Sequence, residues 1–115
     1  MRSYRHHFHA GNPADVFKHG ILMLLLEHMG QKDKPFRYVD THAGAGRYRL
    51  RSEAGSEWQS GISLLCAAAK LPSSLERLRD HVAQFNPAGR LEIYPGSPLW
   101  AQRLCRSQDE IRLFE

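Results

Sequence analysis

The sequence predicts an α/β fold, with parallel strands joined by helices and a cofactor crevice at the strand ends, on three observations. A short apolar strand at 36–40 ends on a carboxylate, Asp40, and runs straight into the glycine turn Thr41-His42-Ala43-Gly44-Ala45-Gly46. Helical patterns lie on both sides of it. A last strand at 111–114 ends on a second carboxylate, Glu115. In open α/β sheets the strand ends carry residues into the ligand crevice, and Gly44 and Gly46 allow backbone to approach a ligand closely.

The elements follow in order. Asn12 is a good N-cap, Pro13 suits the first helical position, and Asp15 sits in the positive first turn, so a helix is predicted over 13–29. Its apolar face is read as Val16, Phe17, Gly20, Ile21, Leu24 and Leu25, with Gly30 as the stop and Met23 and Met29 as core filler. The polar Gln31-Lys32-Asp33-Lys34-Pro35 turn leads to the strand at 36–40. Residues 47–61 lack either period and read as a loop holding a lone Trp58. Residues 62–70 look helical, and Ser73 with Glu76 forms a capping box for a helix over 73–85. Asn86-Pro87-Ala88-Gly89 closes that helix, and a short strand is predicted at 91–94. Ser97 and Pro98 supply an N-cap and first position for a helix over 98–106, ahead of the final strand.

The spacing of the two strand-end acids is unusual. In a dinucleotide-binding unit the ribose-binding acid lies about 20 residues past the glycine turn, and Glu115 is much further on. The mismatch resolves if residues 49–93 form a helical insertion inside one domain spanning 1–115. Asp40 and Glu115 then border one pocket. A ligand with both an amino group and a ribose suits them, and S-adenosylmethionine has both. A nicotinamide cofactor fits less well, because Arg47, Tyr48 and Arg49 interrupt the Gly-x-Gly-x-x-Gly fingerprint. A Gly-x-Gly pair alone also occurs in plain turns.

Composition narrows the function classes. The 115 residues are 42% hydrophobic and 24% charged, which suits one small globular domain. Sixteen Lys and Arg against twelve Asp and Glu leave a net charge of +4, with seven His in addition, and this favours a polyanionic partner. The basic N-terminus has no secretory pattern, and the apolar run at 21–26 is far too short for a bilayer, so a cytoplasmic protein without membrane contact is expected. Cys66 and Cys105 stand far apart and read as two small buried thiols, neither a zinc ribbon nor a disulfide scaffold.

A second constellation is Tyr4-Arg5-His6-His7-Phe8-His9-Ala10-Gly11-Asn12, with Lys18 and His19 beyond it. Rings alternating with cations stack on unpaired bases while neutralising phosphate. The same stretch also suits an arm packed on the core. His6, His7 and His9 lack the spacing of helical zinc motifs, so no metal is predicted. Arg47-Tyr48-Arg49-Leu50-Arg51 repeats the alternation at the mouth of the pocket, where a nucleic-acid backbone or plain solvent are both suitable neighbours.

With these residues in view, the chain resembles the RlmJ-type 23S ribosomal RNA adenine N6-methyltransferases. The resemblance rests on Tyr4-Arg5-His6-x-Phe8-His9-Ala10-Gly11-Asn12, Ala14-Asp15-Val16, Lys18-His19, the block from Asp40 to Tyr48, and Tyr94-Pro95-Gly96-Ser97-Pro98-Leu99. It runs along the whole chain and is weakest at 51–90. It implies a Rossmann-like class I methyltransferase fold with a small helical insertion. It further implies that His19, His42, Ser97 and Glu115 contact S-adenosylmethionine, with Glu115 on the ribose and the 40–46 turn near the methionine end. Tyr4, His6 and Lys18 would face the target adenine of ribosomal RNA, with Lys18 and His6 supporting activity.

One family feature is missing. The Asp-Pro-Pro-Tyr motif that orients the adenine amino group occurs nowhere in these residues. The sheet is accordingly expected to break off after its second core strand, in an N-terminal part of a longer enzyme that is inactive alone. A non-catalytic nucleic-acid-binding module is the rival reading, motivated by the positive charge and the missing motif. The oligomeric state and target nucleotide stay open.

Overall fold

The computed structural model describes residues 8–51 and 56–115, together with the backbone of residues 6 and 7. A short helical turn, α1 (His6–His9), leads to the long helix α2 (Pro13–Met29). The cap of α2 is as the sequence predicts. Asn12 Oδ1 accepts the Asp15 N–H at 2.7 Å, Pro13 occupies the first turn, and Asp15 takes the Gly11 N–H at 3.1 Å.

The face that α2 buries differs from the expected one. Val16 and Met23 turn inward as expected, joined by His19 and Leu26, with Met23 fully buried, whereas Phe17 is 72% exposed and Ile21, Leu24, Leu25 and Met29 lie on the open side. The buried stripe has helical spacing but contains a histidine, so hydropathy alone pointed to the wrong side.

Two strand pairs organise the rest. β1 (Arg37–Asp40) runs parallel to β4 (Glu110–Leu113), with Asp40 opposite Leu113. β2 (Arg47–Arg49) runs antiparallel to β3 (Ile93–Pro95), with Tyr48 opposite Tyr94. The expected loop at 47–61 therefore begins as a strand. Three residues are too few to display a period, and what fixes them is Tyr48, 8% exposed, entering the core beside the fully buried Tyr94.

Between β2 and β3 come a 3-10 helix (Glu57–Ser60), α3 (Ile62–Ala67) and α4 (Ser73–Gln84), and α5 (Ser97–Leu104) then leads into β4. Two expected caps are absent. Neither Ser73 nor Ser97 caps its helix, each being the first helical residue after Pro72 and Gly96 respectively. Cys66 is exposed and Cys105 half-buried, so the reading of two buried thiols is also corrected; both are unbridged.

The core is drawn mainly from the helices and the antiparallel pair. Trp100, Tyr94, Met23, Ile62, Leu78 and Val82 are fully buried, and Trp100 donates its indole N–H to the Pro95 carbonyl at 3.1 Å. The parallel pair is held at its rear by an ionic clamp. Arg106 and Asp109 form a bidentate pair, and Arg106 also reaches the carbonyls of Gly30, Lys32 and Lys34 while Asp109 takes the Phe36 N–H. Arg106 holds the Asp109 carboxyl down at about 2. Among the described residues no helix is long and apolar enough to cross a membrane.

Candidate cofactor site at the parallel strand ends

Parallel pairing puts the C-terminal ends of β1 and β4 side by side, so the two acids distant in sequence finish at the same edge. The chain beyond Leu113 stays attached to the turn after β1. Phe114 donates its N–H to the Asp40 carbonyl at 2.8 Å, and Ala43 donates to the Phe114 carbonyl at 2.9 Å. Glu115 follows directly, beside the 41–43 segment.

Asp40 is the hub of this edge. Its Oδ2 accepts the Tyr38 hydroxyl at 2.9 Å and the Ser97 hydroxyl, and its Oδ1 accepts the His42 N–H at 3.1 Å. Tyr38 lies two residues earlier on the same strand face, which is why its ring reaches. Partial burial by itself would raise the carboxyl, but these three donors and the Lys18 charge together hold it below the usual carboxylate value. Asp40 is therefore an anion at neutral pH. Ser97, only 9% exposed, gives its one proton to Asp40, which leaves its oxygen as an acceptor toward any ligand.

The glycine turn is fixed from several sides. Gly44 has φ of +64°, backbone that other residues adopt only under strain. Ala45 donates its N–H to the Tyr48 hydroxyl at 2.9 Å, and Gly96 donates to the Gly46 carbonyl at 2.8 Å. At Gly96 any Cβ would sit 2.2 Å from the Ala45 carbonyl oxygen, so the start of α5 and the turn meet main chain to main chain. His42 is exposed at the rim, with its Nδ1 2.9 Å from the Thr41 hydroxyl.

His19 approaches from α2. It is 1% exposed, its Nδ1 lies 2.6 Å from the Tyr94 hydroxyl, and its ring packs near those of Tyr94 and Trp100. Burial, with a smaller push from the Lys18 charge, lowers its pKa to about 3, only partly opposed by Asp40. The imidazole is neutral at physiological pH. Its Nε2 is buried without a hydrogen-bond partner. Lys18 is half exposed and pairs with Asp15 at 3.5 Å, and its charge acts on both His19 and Asp40. Lys18, His19 and Asp40 thus form one electrostatic neighbourhood.

The remaining candidates divide. Tyr4 lies outside the described residues, and so does the His6 side chain. Later in the same arm, His9 Nδ1 and Asn12 Nδ2 both engage Glu57, at 3.0 Å and 2.9 Å, so that part is packed against the 3-10 helix. Sequence reasoning misses Tyr38 and Tyr94 as site residues, and Tyr48, expected among the cations at the pocket mouth, instead turns its ring into the core. The i, i+2 spacing of Tyr38 and Asp40 on one strand face was a usable signal.

The arrangement suits a zwitterionic, ribose-bearing ligand. An anionic carboxylate and an accepting hydroxyl oxygen can take an ammonium group, an unpartnered buried imidazole nitrogen calls for a polar partner, and the chain leading to Glu115 is tied by Phe114 to the same turn.

Comparison with known proteins identifies the family. Residues 33–115 match the family model described as "Ribosomal RNA large subunit methyltransferase D, RlmJ". The whole chain is 51% identical to Ribosomal RNA large subunit methyltransferase J of Escherichia coli (strain K12) and 48% identical to the protein of the same name from Haemophilus influenzae, in each case over 42% of the relative's length. The structure superposes, with a TM-score of 0.83 and 40% identity, on protein LPL1258 from Legionella pneumophila, described by the family model DUF519, covering 91% of this chain and 39% of that one. A mixed α/β unit with paired parallel strand ends, matched over most of its length, belongs to the RlmJ family of ribosomal RNA large subunit methyltransferases.

Proposed function

We propose that the protein transfers a methyl group from S-adenosylmethionine to N6 of an adenine in 23S ribosomal RNA, on a Rossmann-like class I fold with residues 49–93 as a helical insertion. The observation that supports the reading is the edge where Asp40 takes the Ser97 hydroxyl and the chain just before Glu115 is hydrogen-bonded to the 40–43 segment. Bound there, the cofactor supplies a sulfonium-activated methyl group.

The residues of this chain divide the binding work. Asp40 and the Ser97 oxygen accept from the ammonium, and Glu115 accepts from ribose hydroxyls. His19 offers a polar nitrogen from below, while the Gly44 and Gly46 turn and His42 line the methionine end. Tyr4, His6 and Lys18 are assigned to the target adenine, which is either flipped out of its stack or already unpaired. Arg47 and Arg49, exposed on the outward face of β2, lead from the turn toward a cleft of about 370 Å³ lined by Arg49, Leu50, Trp58, Arg90, Leu91 and Glu92. That row suits the phosphate backbone of the same RNA.

The test is methyl transfer from labelled donor to undermodified ribosomal RNA by the protein at its natural length. Label on adenine N6 is expected, and none on adenine overturns the reading. Calorimetry separates the rival directly. A pure nucleic-acid-binding module shows salt-dependent RNA binding with no heat from S-adenosylmethionine.

A further inference from the structure

The His19 and Tyr94 pair is more specific than burial requires. The sole hydrogen-bond partner of the Tyr94 hydroxyl among the described residues is His19 Nδ1, at 2.6 Å. Both side chains are almost completely buried, and the phenol keeps its proton, because burial pushes its pKa well up. The hydroxyl must donate to something, and Nδ1 is the acceptor in reach. A neutral imidazole that accepts at Nδ1 carries its own proton on Nε2. That Nε2 is the one buried side-chain polar atom among the described residues with no partner. A buried N–H left unpaired costs roughly 1–3 kcal/mol, so this one calls for an acceptor.

We propose that Tyr94 is a positioning residue, which holds His19 as the Nε2–H tautomer and so presents that N–H as a preset donor to an accepting group of the bound cofactor. The proposal rests on the methyl-donor reading above. Tyr94 is well placed for the task. It is anchored in β3 opposite Tyr48, Trp100 flanks the imidazole, and Ser97, three residues further on, bonds to Asp40. One short segment, Tyr94 to Ser97, thereby sets the protonation pattern on both sides of the site: a donor at His19 and acceptors at Asp40 and Ser97.

Nitrogen-15 NMR of the His19 ring in the protein at its natural length tests the tautomer without any ligand. Nδ1 should read as an unprotonated acceptor and Nε2 as protonated, and the reverse overturns the proposal even if no variant folds. Adding S-adenosylmethionine should move the Nε2–H resonance. Tyr94→Phe should mix the tautomers and weaken S-adenosylmethionine binding about tenfold while leaving the turnover at saturating cofactor within about twofold. In a His19→Ala background Tyr94→Phe should have no further effect on cofactor affinity, whereas a purely structural tyrosine would add its own loss. An unchanged tautomer, or additive losses, overturns the positioning role. If the unsubstituted protein shows no S-adenosylmethionine binding at all, the methyl-donor reading falls and the proposal falls with it.

Discussion

The antiparallel pair and the parallel pair are built from similar residues and do different jobs. β2 and β3 bury Tyr48 and Tyr94 among Trp100, Met23, Ile62, Leu78 and Val82. β1 and β4 leave Val39 50% exposed and Ile111, Leu113 and Phe114 open as well, and are held instead by the Arg106 and Asp109 clamp and by main-chain bonds at the strand ends. Cohesion thus comes from the pair with buried rings, and the ligand edge from the pair with satisfied polar groups.

The sharpest way to break this contrast is to truncate one side chain in each pair's surroundings. Trp100→Ala should cost roughly 3–5 kcal/mol, whereas Val39→Ala should cost below about 1 kcal/mol, both read from urea denaturation. Equal losses would remove the division. The next effect is a pH dependence from His19, whose folded pKa of about 3 lies below the ordinary value near 6.5. Between those values the unfolded chain binds more protons, so stability is complete above about pH 6.5 and falls as the pH drops toward 3, by on the order of a few kcal/mol. Denaturation series at several pH values on wild type and His19→Gln should show the slope reduced in the variant, and matching slopes would contradict a neutral buried imidazole.

Gly96→Ala tests the joint between the regions. The added methyl meets the Ala45 carbonyl oxygen, so the turn must shift, at a cost of about 2 kcal/mol in cofactor binding with a smaller loss of stability. Calorimetry that finds full affinity in this variant would mean the turn has slack. The smallest expected effect belongs to Arg49→Ala, which should leave cofactor affinity intact and lower the salt slope of RNA binding by about one. An unchanged slope would take Arg49 out of the RNA path.

Legibility in the sequence follows the range of the interaction. The Asn12, Pro13 and Asp15 start of α2 was readable because all its bonds close within one turn. Ser97 has the same local signature, but the helix starts on it with Gly96 at the cap position, and its hydroxyl goes to Asp40, from a strand far back in the chain. The strands ahead of Asp40 and Glu115 were legible through their apolar runs, although β4 closes at Leu113, and the parallel register that joins Asp40 to Leu113 follows from the expected crossover. β2 was not, since only its pairing with β3 makes three residues a strand. The wrong face of α2 has the same origin as the overlooked Tyr94. A histidine counts as polar in any hydropathy pattern, and only its tyrosine partner from β3 makes it an interior residue.

The bare crossing of Gly96 over Ala45 has a consequence for anyone who would reshape this region. With no side chain between the two loops, there is no cushion to absorb a graft, an insertion or a swapped segment in either one. The stretches 41–46 and 94–97 behave as a single engineering unit, to be transplanted together or left alone.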